Sequence, residues 1–255
     1  MRGGQWQVLY LVERLENAIL SARGPLAERG LPSGSLFDQA DLIHAHDARS
    51  HTRAVLANRK PLVVSRRVAF PVRRSFLSRQ KYERAAMYIA VSHFVADRLR
   101  DAGIPDSKIR VVYDGVPVPQ APTTAEPGRV IALKSKPVDL PGVHLTTDLW
   151  QDLTTASIFV YASEMEGLGS AALAAMAAGV PVIASRVGGL SEIVQHGETG
   201  ILVDDNNFES AIRQLLAEPA RAAEMGRRGR ELVRERFTID HMVAETREVY
   251  EEVLA

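Results

Sequence analysis

Cysteine is absent from the 255-residue sequence, so disulfides and thiolate metal sites are excluded and a reducing compartment is the natural setting. No apolar run approaches the ~20 residues that a helix needs to cross a bilayer. The opening MRGGQWQVLYLVERLENA has an apolar patch with no small-residue cleavage site after it, and does not read as a signal peptide. No short repeat of the solenoid kind recurs. Net charge is missing too, because 31 Lys and Arg cancel 31 Asp and Glu. The cancellation hides an asymmetry. Residues 1–120 hold 19 basic and 11 acidic side chains, whereas residues 121–255 hold 12 and 20. Two units with different partners are expected, the basic one facing something anionic. The basic charge concentrates in SRRVAFPVRRSFLSRQKYER (65–84), where seven basic residues interleave with Val, Phe and Leu. That stretch reads either as a surface for anionic lipid or a phosphorylated substrate, or as a solvated loop and helix face.

What is present is ordinary for a globular chain, 46% hydrophobic and 24% charged. Strand and helix patterns alternate. LVERLENAILSA (11–22) has helical apolar spacing, whereas DLIHAHD (41–47), PLVVS (61–65), YIAVS (88–92) and KIRVVYDGV (108–116) read as strands. Gly103 is expected to close the helix HFVADRLRDAG, and Gly115 to supply a positive φ after the fourth strand. PVPQAPTTAEPG (117–128), with four prolines and no apolar period, is the best linker candidate. The pattern then restarts with RVIAL, GVHL, SIFVY (157–161), an alanine helix closed by Gly179, PVIAS (181–185) and ILV (201–203). A helix over about Phe208–Ala217 and two more follow, the last opened by Thr238. This order predicts parallel sheets with crossover helices, and ligands at the carboxyl ends of the strands.

Three stretches sit at such ends. The loop SEMEGLGS delivers Gly167, Leu168, Gly169 and Ser170 to the start of a helix, where free N–H groups and the helix dipole make an anion site. SRVGGL repeats the device with Gly188 and Gly189, and two such loops side by side suit a diphosphate. Glu166 at the lip is placed to accept hydrogen bonds from sugar or ribose hydroxyls. The same residues match GxGxxA (Gly167, Gly169, Ala172), with Arg186 available for a 2′-phosphate, which keeps an NADP-dependent oxidoreductase open. HAHD puts His44 and His46 on one side of a strand. Without a third ligand at suitable spacing, metal binding is not expected there, and His46 is expected to meet substrate.

EGLGSAALAAMAAGVPVIASRVGGLSEIVQHGETGILV (166–203) closely resembles the donor-binding half of the family 4 glycosyltransferases of the GT-B type. The opening Gly3 and Gly4, DLIHAHD, YIAVSHFVADRL and RVVYDGVP resemble that family's first half, and FTIDHMVAETREVYEEVL is similar to its closing helix. The resemblance implies retaining transfer of a sugar from a nucleotide-diphosphate donor (UDP-, GDP- or ADP-linked) to a glycan or glycolipid acceptor, in cell-envelope polysaccharide or glycolipid synthesis. It implies no cofactor and no metal, because cationic side chains and helix N-termini neutralise the leaving diphosphate. Arg129 and Lys134 have the family's R-x4-K spacing, although RVIAL itself reads as a strand, so Lys134 or Lys136 at its carboxyl end is preferred. Gly3 and Gly4 would approach the donor phosphates, and His46 the sugar or acceptor.

The sequence departs from the family pattern in three places. Ala174 stands where the family has a second glutamate, eight positions after Glu166. Loss of that contact would cost roughly 1.5–3 kcal/mol of binding, or ~10–150-fold. The region between the linker and SIFVY is short. Arg66 and Arg67 occupy a place where related sequences often have a histidine. The expected architecture is α/β, two Rossmann-like parallel-sheet domains facing a cleft. Residues 1–118 form the acceptor side, 119–128 the linker, 129–236 the donor side, and 237–255 a helix returning to the first domain. The expected protein is a cytoplasmic transferase, peripheral on the inner membrane face through 65–84, with no nucleic-acid partner. A shortened, non-catalytic GT-B-like binding protein stays open beside it.

Overall fold

The computed structural model describes residues 11, 19–21, 40–57, 60–68, 70, 76–204 and 207–255. The chain forms two units, one of residues 1–114 and 239–255 and the other of residues 115–238. Each is built on a five-stranded sheet whose pairings are all parallel.

In the first unit the strands lie in chain order: β1 (Ile19–Ser21), β2 (Ile43–Ala45), β3 (Leu62–Arg66), β4 (Met87–Ala90) and β5 (Ile109–Val111). Helices α1 (Ala48–Ala57), α2 (Phe76–Glu83) and α3 (His93–Asp101) connect them. Helix α3 starts where the Ser92 hydroxyl accepts from the Val95 N–H at 3.1 Å, satisfying an otherwise orphaned donor. Gly103, at φ 86°, follows its end. Gly115 is not among the positive-φ glycines, and β5 stops at Val111, before the expected turn. Ile19–Ser21, read as part of a helix, is instead a strand paired with Ile43–Ala45. The gain from adding an edge to the parallel sheet outweighs local helical periodicity there.

The second unit orders its strands β10-β9-β8-β6-β7: β6 (Val130–Leu133), β7 (Val143–Thr146), β8 (Ile158–Tyr161), β9 (Val182–Ser185) and β10 (Gly200–Val203). Its helices are α4 (Leu149–Leu153), α5 (Ser170–Ala178), α6 (Leu190–Ile193), α7 (Phe208–Ala217) and α8 (Pro219–Arg236). The alanine-rich α5 is short and slim, so another helix can come close. At Gly226 of α8 a Cβ would lie 2.0 Å from the Gly179 carbonyl oxygen, so the two backbones touch there. The core beneath comprises Val130, Ala132, Ile158, Val160, Ile183 and the apolar face of α7.

The proline-rich stretch read as a linker is held against the second unit. Thr123 N–H donates to Ala178 O at 2.8 Å and Glu126 N–H to Thr155 O at 2.8 Å. The buried Arg230 guanidinium donates to the carbonyls of Pro119, Gln120 and Ala177. A cation there also faces the negative end of α5. Helix α9 (Ile239–Leu254) belongs to the first unit, where Met242, Val243, Val249 and Tyr250 complete a core with Leu11, Leu42, Val63, Met87, Ile89 and Val112.

Candidate functional site

Because β8 pairs with both β6 and β9, the segments leaving their carboxyl ends lie side by side: 134–136, 162–169 and 186–189. Chemistry converges on Glu166. Lys136 Nζ donates to Glu166 Oε2 at 2.5 Å and to Ser163 Oγ at 2.7 Å. The Tyr161 hydroxyl donates to the same carboxylate oxygen at 2.8 Å, and Lys136 Nζ sits 4.5 Å from the Tyr161 ring centroid. Burial and the adjacent Glu166 charge push the Tyr161 phenol far up, so it remains a donor.

The two glycine loops are fitted to each other. Gly169 precedes α5 at φ 106°, and the Gly189 N–H donates to the Glu166 carbonyl at 3.1 Å. A Cβ on Gly189 would lie 2.2 Å from the Gly167 carbonyl oxygen, so no side chain fits. Gly188 takes φ 51°. Leu168 is buried and Ser170 opens the helix, whose first N–H groups have no partners within it. Ser163 N–H donates to Ser185 Oγ at 3.0 Å, tying the first loop to β9. The exposed Lys134 leaves β6 with its N–H bonded to Thr146 O at 2.9 Å.

Arg129 lies at the amino end of β6, five residues before Lys134 and so roughly 16 Å along the strand direction. It is paired with Asp152 at 2.6 Å and is not brought to Glu166. Arg186 is paired with Asp204 at 3.2 Å. Gly3 and Gly4 lie outside the described residues. Ala174 is buried within α5.

The first unit carries a separate cluster at the carboxyl ends of β2 and β3. His46 is 7% exposed, and its Nδ1 lies 3.0 Å from Arg67 Nη1. Arg67 Nε in turn donates to both Asp114 oxygens, at 3.0 and 3.2 Å. His44, fully buried, meets Tyr250 Oη at 2.6 Å and Ser65 Oγ at 2.8 Å, and its ring centroid is 3.9 Å from that of His46. Burial lowers the pKa of both imidazoles well below the usual value, with Arg67 adding to both shifts and His44 to that of His46. Burial pushes the Asp114 carboxyl up, and Arg67 pulls it back part of the way. Among the described residues, no group of three or more His, Asp or Glu is placed to hold a metal ion.

Sequence reasoning singled out His46, Glu166, Lys136 and the glycine loops. It did not assign roles to Arg67, Asp114, Ser65, Tyr250, Tyr161 or Ser163. Arg66 closes β3 and Arg67 follows it. Arg67 is half-buried and paired with Asp114, and Arg66 donates to Tyr82 Oη at 3.0 Å and to the Phe70 carbonyl. The one available signal was their departure from the family pattern.

Two Rossmann-like units on parallel sheets, with glycine loops at the strand ends, define a GT-B type protein. Crystal structures support that class. The Anabaena protein HepE in complex with UDP and glucose superposes with TM-score 0.80 at 15% identity, covering 98% of this chain and 96% of that one. Residues 8–119 match the family described as Glycosyltransferase Family 4, and residues 135–232 match Glycosyl transferases group 1. The chain belongs to the family 4, or group 1, glycosyltransferases. It is 42% identical over 112 residues to an alpha-maltose-1-phosphate synthase of Mycolicibacterium smegmatis, 40% of this chain and 29% of that protein. A GDP-mannose-dependent alpha-(1-6)-phosphatidylinositol monomannoside mannosyltransferase of Mycobacterium tuberculosis is 44% identical over 84 residues, 32% of this chain and 22% of that protein. The matched region thus spans less than a third of either relative. Family membership displaces the oxidoreductase alternative.

Proposed function

We propose that the protein transfers a sugar from a nucleoside-diphosphate donor to a glycan or glycolipid acceptor with retention. The observation that carries this reading is the pair of interlocked glycine loops at the start of α5, with Lys136 and Glu166 beside them. Helix N–H groups and a mobile cation are what a departing diphosphate requires, since charge accumulates on its oxygens as the glycosidic bond breaks. Lys136 exchanges Glu166 for phosphate when donor binds, and the released carboxylate receives hydroxyls of the donor. Lys134, exposed two residues earlier, is a second cation for the same charge. The first unit, through His46, meets the sugar or acceptor. HepE with UDP and the GDP-mannose-dependent relative support a nucleotide-sugar donor without fixing its base.

Titration with UDP, GDP and ADP, then with the matching sugar nucleotides, tests this reading. One nucleotide should bind clearly. Glu166→Ala and Lys136→Ala should each weaken it about tenfold or more, the worth of a charge-assisted hydrogen bond, with little change in melting temperature. Absence of binding at millimolar nucleotide would defeat the donor reading. Binding without hydrolysis or transfer would favour the second reading, a non-catalytic nucleotide-sugar binder, which the missing carboxylate at Ala174 supports.

The acceptor side of the proposal includes an anionic membrane surface. Val68, Phe70 and Phe76 are exposed within the basic 65–84 stretch, and no helix among the described residues is long and apolar enough to cross a bilayer. Peripheral contact on the cytoplasmic face fits this combination. Arg73 and Arg74, outside the described residues, extend the basic charge. Neutralising both should reduce sedimentation with anionic vesicles, and added salt should do the same. Binding insensitive to both would remove the membrane from the proposal.

A further inference from the structure

Arg67 and Asp114 form the strongest unassigned feature, because together they leave a buried donor without a partner. Arginine carries only N–H donors and does not lose its proton. Its 3.0 Å contact with His46 Nδ1 therefore requires a lone pair on that nitrogen. The ring proton of neutral His46 then sits on Nε2, which has no hydrogen-bond partner among the described residues although the side chain is 7% exposed. Asp114, 3% exposed, holds the guanidinium in place through both oxygens. His44 backs the ring and is itself fixed by Ser65 from β3 and Tyr250 from α9.

We propose that Asp114 and Arg67 are positioning residues that lock His46 as its Nε2–H tautomer, presenting that N–H as a fixed donor to an oxygen of the bound sugar or acceptor. This rests on the reading above that His46 meets sugar or acceptor. It goes beyond that reading in assigning His46 a donor's role and excluding proton transfer through Nδ1. A second proton would have to enter on Nδ1, against the guanidinium. The titratable or charged groups facing the ring are thus Arg67, His44 and, through them, Asp114 and Tyr250. A buried donor of fixed direction recognises a hydroxyl or carbonyl oxygen and rejects a ligand lacking one, because the N–H would then stay unpaired.

The test is nitrogen-15 histidine spectroscopy on the full chain, with the His46 signals assigned from His46→Gln. The wild type should show His46 as the Nε2–H tautomer from pH 8 to pH 5.5, without titrating. Arg67→Met should give a tautomer mixture and let His46 titrate in that range. Because the single variant strands a buried carboxylate, Arg67→Met/Asp114→Leu serves as the fold-preserving version, with the same spectral change expected. Where transfer is measurable, both should lose about tenfold or more in kcat/KM, roughly one hydrogen bond's worth. An Nδ1–H tautomer in the wild type would overturn the proposal, as would an unchanged tautomer in both variants. These spectral outcomes do not depend on a donor being found, so failure of the transferase reading stays distinguishable.

Discussion

Three buried histidines, His44, His46 and His51, are all held below their usual pKa. His51 packs edge-on against Tyr82 and Tyr88, with ring centroids 5.2 and 6.2 Å away. Burial lowers its pKa to about 4, with Lys81 and Arg66 adding in the same direction. An unfolded chain binds this proton near pH 6.5, and the folded chain only near pH 4, so the unfolded state holds more protons between those values. Stability is therefore complete above pH 6.5 and falls as pH drops towards 4. The His51 share is about 2 kcal/mol by pH 5 and nears about 3 kcal/mol at the lower end. His51→Phe keeps the aromatic packing and should shrink the difference between urea midpoints at pH 7.5 and pH 5. A difference as large as in the wild type would place the acid sensitivity at His44 and His46 alone. At this scale the sequence showed chemistry where neighbours in sequence cooperate, as in HAHD and EGLG. It did not show Arg67, whose partners lie 21 and 47 residues away.

Elements were legible where a period or a cap is local, as with Gly103 at the end of α3, whereas Ser92, read as the end of a strand, caps that helix instead. They were illegible where a distant partner decides. Ile19–Ser21 is a strand because Ile43–Ala45 lies alongside, and the proline-rich stretch is anchored because Arg230, 110 and 111 residues later, reaches its carbonyls. The contact of α5 with α8 gives the element-scale prediction. Alanine in place of a mid-helix glycine ordinarily stabilises by about 1 kcal/mol. At Gly226 the new Cβ would lie 2.0 Å from the Gly179 carbonyl oxygen and 3.2 Å from Pro181 Cδ. Backbone cannot give way as a side chain end can, so the helices must part. Gly226→Ala should therefore destabilise by about 1–3 kcal/mol net, the usual cost of overpacking, seen as a lower urea midpoint. An increase would mean that α8 can slide on α5 without loss.

At the scale of the whole molecule, the sequence conveyed two α/β halves and a returning last helix, because each half repeats its own alternation. The chain crosses from one unit to the other after Asp114 and again after Thr238. Inside the second unit, Val116 pairs with Thr238 in a parallel bridge, so its two chain ends lie together. The first unit is consequently discontinuous, and α9 supplies part of its core. Its surface pair Arg110–Glu252 contributes little, since both side chains are more than a third exposed. The apolar contacts decide. Met242, 2% exposed, packs with Leu42, Val63 and Ile89, and truncation to alanine should cost about 2–5 kcal/mol. Hydrogen exchange can read where that cost falls. If each unit opens by itself, Met242→Ala should lower protection in β2–β5 and leave β6–β10 unchanged, although residue 242 lies close in sequence to α8. If protection drops equally in both sheets, the two units unfold as one cooperative body. In that case the last helix stabilises the glycine loops as well as the histidine cluster.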